Sequence, residues 1–222
     1  MPIRSPAIIW PKIPCVGLDT MISFMRNRFL IQNFSIMIFM FVVSMGVHAE
    51  EGIPSVSDKV ENRWSFLGGY GITHCGLGKT KVQVQSVDFI PRYERFLTKT
   101  MGSSWYQGRH SLMIETPLTL VVDPDVAPMV GINFLAGWTF TGLNRIIPYA
   151  FAGGGPLYTS ADIPGLGSEL NGNYQAGIGI RFKTNKNYQF NIEYRFQHIS
   201  NGGTKTPNDP LNSSRFLLGI TF

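Results

Sequence analysis

His198 and Ser200 stand two residues apart at the end of an alternating run, a spacing that puts an imidazole and a hydroxyl on one side of a β-strand. Such a pair is the minimum for nucleophilic ester chemistry, in which the imidazole takes the hydroxyl proton as the oxygen attacks a carbonyl. Asn201-Gly202-Gly203 follows directly, and a glycine-rich turn after a nucleophile offers unobstructed backbone N–H groups to an oxyanion. From Gln189 onward the odd positions are Gln189, Asn191, Glu193, Arg195 and Gln197. The even ones are Phe190, Ile192, Tyr194 and Phe196, then His198 and Ser200. The pair therefore shares the greasy face. In a soluble sandwich that face is core; in a membrane barrel it touches lipid, and a lipid substrate meets the pair directly.

The same alternation recurs along the chain. Tyr174, Ala176, Ile178, Ile180 and Phe182 oppose Asn173, Gln175, Gly177, Gly179, Arg181 and Lys183, and Phe216, Leu218, Ile220 and Phe222 oppose Arg215, Leu217, Gly219 and Thr221. Eight strands are expected, near 64–73, 82–97, 108–122, 126–140, 145–159, 170–184, 187–200 and 212–222. Several match the roughly 9 to 11 residues that a tilted strand needs to cross a bilayer. Pro91, Pro117, Pro128, Pro148 and Pro156 predict bulges or strand ends, and a parity slip between Val84 and Val87 predicts a bulge near Gln85 or Ser86. One face polar and glycine-bearing, the other apolar, defines an all-β, eight-stranded antiparallel transmembrane β-barrel with a small polar lumen. Glu115, Arg181, Glu193 and Arg195 are expected to pair inside it, and so packed a lumen disfavours a pore.

The first part of the chain reads differently. Arg26 and Arg28 precede an apolar run from Phe34 to Val47, and Val47-His48-Ala49 has the pattern of a signal-peptide cleavage site, with Met21 or Met25 as a more natural start than Met1. Residues 1–49 are thus expected to be an N-terminal extension and cleaved signal peptide, and 50–222 the barrel. Arg4, Lys12, Arg26 and Arg28 against Asp19 account for more than half of the formal charge of +5, so the basic balance argues little for nucleic acid as a partner. Cys15 leaves with the leader, which makes Cys75 a lone and unreactive thiol on this reading. No cysteine–histidine cluster has metal-ligand spacing, and the chemistry calls for no cofactor.

Both termini of outer-membrane barrels lie in the periplasm and their periplasmic turns are short. Residues 141–144 and 184–187 are then inner turns, 160–169 and 201–211 are outer loops, and 98–107 is long for an inner connection. Strand seven runs outward and leaves His198 and Ser200 at the external membrane interface. The stretch from Glu193 to Gly203, followed by Pro207-Asn208-Asp209, resembles the PagL-type lipid A 3-O-deacylase family of outer-membrane esterases. The resemblance implies hydrolysis of the ester-linked acyl chain at position 3 of lipid A by a Ser-His-acid triad on the outer barrel surface of a Gram-negative cell. It implies His198 as base and Ser200 as nucleophile, with Asn201, Asn208 and the backbone of Gly202 and Gly203 around the oxyanion.

One position departs from that pattern. Fourteen residues after the histidine the family has a glutamate; here it is Asn212. Folding the hairpin about its loop places Asn212 across from Ser200 on the same face, where an amide oxygen can fix the imidazole tautomer but cannot stabilise imidazolium by charge. Asp209 is the alternative acid. A non-catalytic structural or adhesive barrel is the competing reading, and Asn212 is its best argument. Gly78-Lys79-Thr80 is a poor fragment of a phosphate loop without the first glycine or a following helix. Lys79, Lys81, Lys205 and Arg215 are candidate contacts for lipid A phosphates or ordinary solvated charges. The expected partners are lipopolysaccharide as substrate, outer-membrane lipid, and the barrel assembly machinery through the terminal aromatic Phe222.

Overall fold

The computed structural model describes residues 62–143, 145–159, 163, 165–184 and 187–222. The expected leader and cleavage site lie outside the described residues. Ten β-segments follow one another: β1 (Asn62–Thr73), β2 (Gln85–Phe96), β3 (Gly108–Glu115), β4 (Leu118–Asp123), β5 (Ala127–Gly131), β6 (Asn133–Phe140), β7 (Ile146–Thr159), β8 (Leu170–Lys183), β9 (Gln189–Ser200) and β10 (Leu211–Thr221). All pairings are antiparallel and β1 pairs with both β2 and β10, so the sheet closes and has no edge.

These segments make eight transmembrane strands, two of them interrupted: β3 with β4, and β5 with β6. The interruptions are neighbours in the wall. The β3–β6 register ends at Glu115 opposite Asn133, and the β4–β5 register begins at Leu118 opposite Val130. Pro117, which has no N–H to donate, sits in the first gap. Strand-embedded prolines flank the breaks: Pro91 O accepts from Thr116 N at 3.1 Å, and Pro156 O from Ile132 N at 3.1 Å. The expectation of a disturbance or strand end holds at this belt, and Pro128 and Pro148 likewise stand at ladder ends, the first just before the β5–β7 register begins at Met129 and the second just beyond the β6–β7 register at Tyr149. The parity slip does appear as a register shift between Gln85 and Ser86.

Alternation then sorts the side chains. On β9 the odd residues from Asn191 onward are buried, while Phe190, Ile192, Tyr194 and Phe196 are exposed to the surroundings. In the lumen, Glu193 and Glu115 are clamped by two arginines. Arg92 Nε donates to Glu115 at 2.7 Å and its Nη2 to Glu193 at 2.6 Å, while Arg195 donates to Glu115 at 2.9 Å and also to Glu193. Arg181 pairs with Glu94 at 2.8 Å, apart from this cluster. Gly177 and Gly179 make room for the rings: a Cβ would stand 2.5 Å from Phe151 and 2.3 Å from Tyr149. Above the ionic layer, Val84, Val121, Met129, Leu157, Ile199 and Leu211 form an apolar plug. It closes the end at which residues 74–84, 165–169 and 201–210 gather.

Candidate active site

β9 and β10 bring the site together. Asn212 stands directly opposite His198, and the last pair of that ladder is Leu211 with Ile199. This shifts the expected pairing by one pleat. Ser200 has its ladder partner on the other side, at Gly172 of β8. The correction favours the chemistry, because the amide now faces the imidazole squarely. His198 Nδ1 lies 2.7 Å from Asn212 Oδ1, and His198 Nε2 lies 3.2 Å from Ser200 Oγ. Asn212 Oδ1 can only accept, so Nδ1 carries the proton and Nε2 is left to receive the one from Ser200. All three side chains belong to the outward face. Beside them Tyr174, opposite His198 on β8 and 61% exposed, puts an aromatic ring at the membrane flank of the pair.

The amide has further partners that sequence reasoning missed. Asn212 Nδ2 donates to Leu77 O and to Thr80 Oγ1, each at 2.9 Å, and the Asn212 backbone N–H reaches Thr80 Oγ1 at 3.1 Å. The fragment set aside as a poor phosphate loop therefore sits on the third member of the site. A second Ser-His contact was missed as well. His74 Nε2 lies 2.7 Å from Ser214 Oγ, which also touches Tyr194 OH at 2.8 Å.

The loop after Ser200 is held from within. Gly202 and Gly203 take φ of +65° and +82°, the left-handed region in which glycine is favoured. Asn201 is buried, and its side chain donates to the carbonyls of Leu166, Lys205 and Pro207. Its Oδ1 accepts the Gly203 N–H at 2.9 Å, and its own N–H donates to Asn208 Oδ1 at 3.1 Å. Two expected oxyanion donors, the N–H of Gly203 and the side chain of Asn201, are thus consumed in building the turn. Asn208 differs: its oxygen is engaged while its Nδ2 has no hydrogen bond among the described residues.

Other expectations are corrected. Asp209 does not reach the imidazole; its carboxylate pairs with Lys81 Nζ at 2.9 Å and ties loop 201–210 to loop 74–84. Arg215 cannot meet a phosphate, since its odd position turns it into the lumen, where it bonds Asp88. Among the described residues no group of three or more His, Cys, Asp or Glu is arranged to hold a metal ion.

A closed eight-stranded barrel, polar within and apolar without, that carries a serine, histidine and asparagine in hydrogen-bonded sequence on its outward face has the architecture of an outer-membrane β-barrel. The chain belongs to the lipid A 3-O-deacylase (PagL) family, whose model matches residues 90–221, more than half of its length. Membership places it among the outer-membrane barrels of Gram-negative bacteria. The crystal structure of the outer membrane enzyme PagL matches the fold with a TM-score of 0.50 at 20% identity, covering 72% of this chain and 98% of that one. Neisserial surface protein A gives 0.48 at 15% identity, over 72% of this chain and 95% of that one. No match is found among curated protein sequences.

Proposed function

We propose that this chain hydrolyses the 3-O-linked acyl ester of lipid A in the outer leaflet, with Ser200 as nucleophile and His198 as general base, then acid. The observation that carries the reading is the unbroken relay from Asn212 Oδ1 to His198 Nδ1 and from His198 Nε2 to Ser200 Oγ, at 2.7 and 3.2 Å, on the face that meets lipid. Ser200 Oγ attacks the ester carbonyl and passes its proton to His198 Nε2. The tetrahedral oxyanion is met by Asn208 Nδ2 and the N–H of Gly202. His198 then protonates the departing sugar hydroxyl, and water, activated by the same imidazole, releases the acyl chain from Ser200. Asn212 holds the tautomer without adding negative charge.

We also read residues 1–49 as a removed leader and Phe222, 59% exposed at the end of the last strand, as the signal to the barrel assembly machinery. N-terminal sequencing of the membrane-inserted protein tests the first point. Assembly yield of Phe222→Ala tests the second.

Mass spectra of lipid A decide the activity. Cells making this protein should lose one 3-hydroxyacyl group, and cells making Ser200→Ala should not. A second reading, a non-catalytic surface barrel, draws on the amide at position 212. Unchanged spectra with well-inserted protein would establish it.

A further inference from the structure

We propose that loop 74–84 is a positioning device that selects an amide at position 212, so that Thr80 and the Leu77 carbonyl set the tautomer of His198 and Asn212 is the working third member of the site. The proposal rests on the esterase reading for its purpose but not for its geometry. An asparagine side chain has an accepting and a donating end, and which end faces the imidazole decides the chemistry. With Oδ1 toward Nδ1, the imidazole leaves Nε2 bare for Ser200. Turned over, Nδ2 would force the proton onto Nε2 and remove the base.

The loop fixes that choice by contacts with opposite requirements. Leu77 offers a backbone carbonyl, which only accepts, 2.9 Å from Asn212 Nδ2. An oxygen in that place would face another oxygen with no proton between them. Thr80 Oγ1 receives both the Nδ2 and the backbone N–H of Asn212, and its residue is buried. The loop is built to hold this position. Thr80 N donates to Leu77 O at 3.2 Å and Gly76 N to Thr80 O at 2.9 Å, while His74 N reaches Asn212 O at 2.7 Å. Gly78, at φ +60°, brings the backbone so near that a Cβ would stand 3.4 Å from Asn212 Nδ2. The Lys81–Asp209 pair fastens the far side of the loop.

A carboxylate at 212 would have two accepting ends. One would suit His198; the other would meet the Leu77 carbonyl. The environment is therefore complementary to an amide, and the glutamate that the family resemblance leads one to expect would be opposed by this loop. The amide is a matched component and not a decayed acid.

The test uses the full-length barrel in detergent micelles, with ¹⁵N-labelled histidine to read the His198 tautomer and purified lipid A to read kcat and KM separately. Thr80→Val keeps the shape but removes the hydroxyl. It should move His198 from the Nδ1–H form toward a mixture and lower kcat by at least about tenfold, toward the roughly 10⁴-fold that a wrong tautomer costs in serine proteases, with KM little changed. Thr80→Ser should restore both. Asn212→Asp should give no gain in kcat. Heat-modifiable migration on gels establishes that each variant is folded. An unchanged tautomer in folded Thr80→Val, or a kcat for Asn212→Asp above that of the unaltered protein, overturns the proposal. If the unaltered protein hydrolyses nothing yet shows the Nδ1–H form and loses it in Thr80→Val, the positioning device stands and the esterase reading falls.

Discussion

Ser214 lies closer to a histidine than Ser200 does: its hydroxyl is 2.7 Å from His74 Nε2, against 3.2 Å between Ser200 and His198. Distance alone would choose the wrong nucleophile. Ser214 is 8% exposed and its oxygen is enclosed between His74 and the Tyr194 hydroxyl, so an ester carbonyl has no approach to it. Ser200 ends its strand beside an open glycine turn. Ser200→Ala should therefore abolish deacylation, a loss of roughly 10⁶ for the corresponding change in a serine protease, and Ser214→Ala should retain most of it. Lipid A mass spectrometry on matched membranes reads both; activity lost with Ser214 and kept without Ser200 would exchange their roles.

Asp209 supplies a second contrast. Its side chain is 23% exposed and that of its partner Lys81 68%, so the solvent-screened pair contributes about 0–1 kcal/mol to loop docking. Asp209→Asn and Lys81→Met should each lower kcat by less than about tenfold, and the double variant should be no worse than either single one, because both break the same contact. A loss near 10⁴ for Asp209→Asn alone would identify it as the triad acid after all.

Why the strands were legible and the loop was not has a physical answer. Lipid and lumen impose opposite polarity on successive residues, so runs such as Phe190–Ser200 declare both their strand and their faces, and the position of His198 and Ser200 follows from parity. The belt at Pro117 was also marked, since a missing N–H is written in the residue type. Pro128 and Pro148 follow the same rule, since each stands one residue beyond the end of the ladder to one neighbouring strand, where no N–H is called for. Leu77 was invisible for a deeper reason. It acts through a carbonyl that every residue has, on a partner 135 positions away. The hairpin register was off by one pleat because loop length alone does not say where a ladder stops.

The lumen network should govern stability and leave the chemistry alone. Glu193 accepts from Arg92, Arg195 and Tyr149, and all four are buried. Glu193→Gln removes the charge that two arginines share, leaving Glu115 as the remaining carboxylate between them. Breaking such a buried cluster costs about 3–5 kcal/mol. Urea unfolding of the barrel in lipid vesicles should show that loss, with kcat of the folded fraction unchanged; equal midpoints for the two proteins would mean that water or relaxation replaces the missing charge.

Asn208 is where the oxyanion assignment can be decided, because its two ends do different work. Oδ1 holds the Asn201 N–H at 3.1 Å and so helps shape the turn after Ser200, whereas Nδ2 is the end free to meet a substrate oxygen. Asn208→Asp keeps an oxygen for Asn201 and deletes the donor. Asn208→Ala deletes both. If Nδ2 meets the tetrahedral intermediate, Asn208→Asp should lower kcat by about 10²–10³, the cost of removing one such donor, with KM nearly constant. Asn208→Ala should match that loss and also loosen the turn, read as faster amide exchange at Asn201. If Asn208 serves only the turn, Asn208→Asp will keep full activity and only the alanine variant will fail, which leaves the Gly202 N–H as the principal donor.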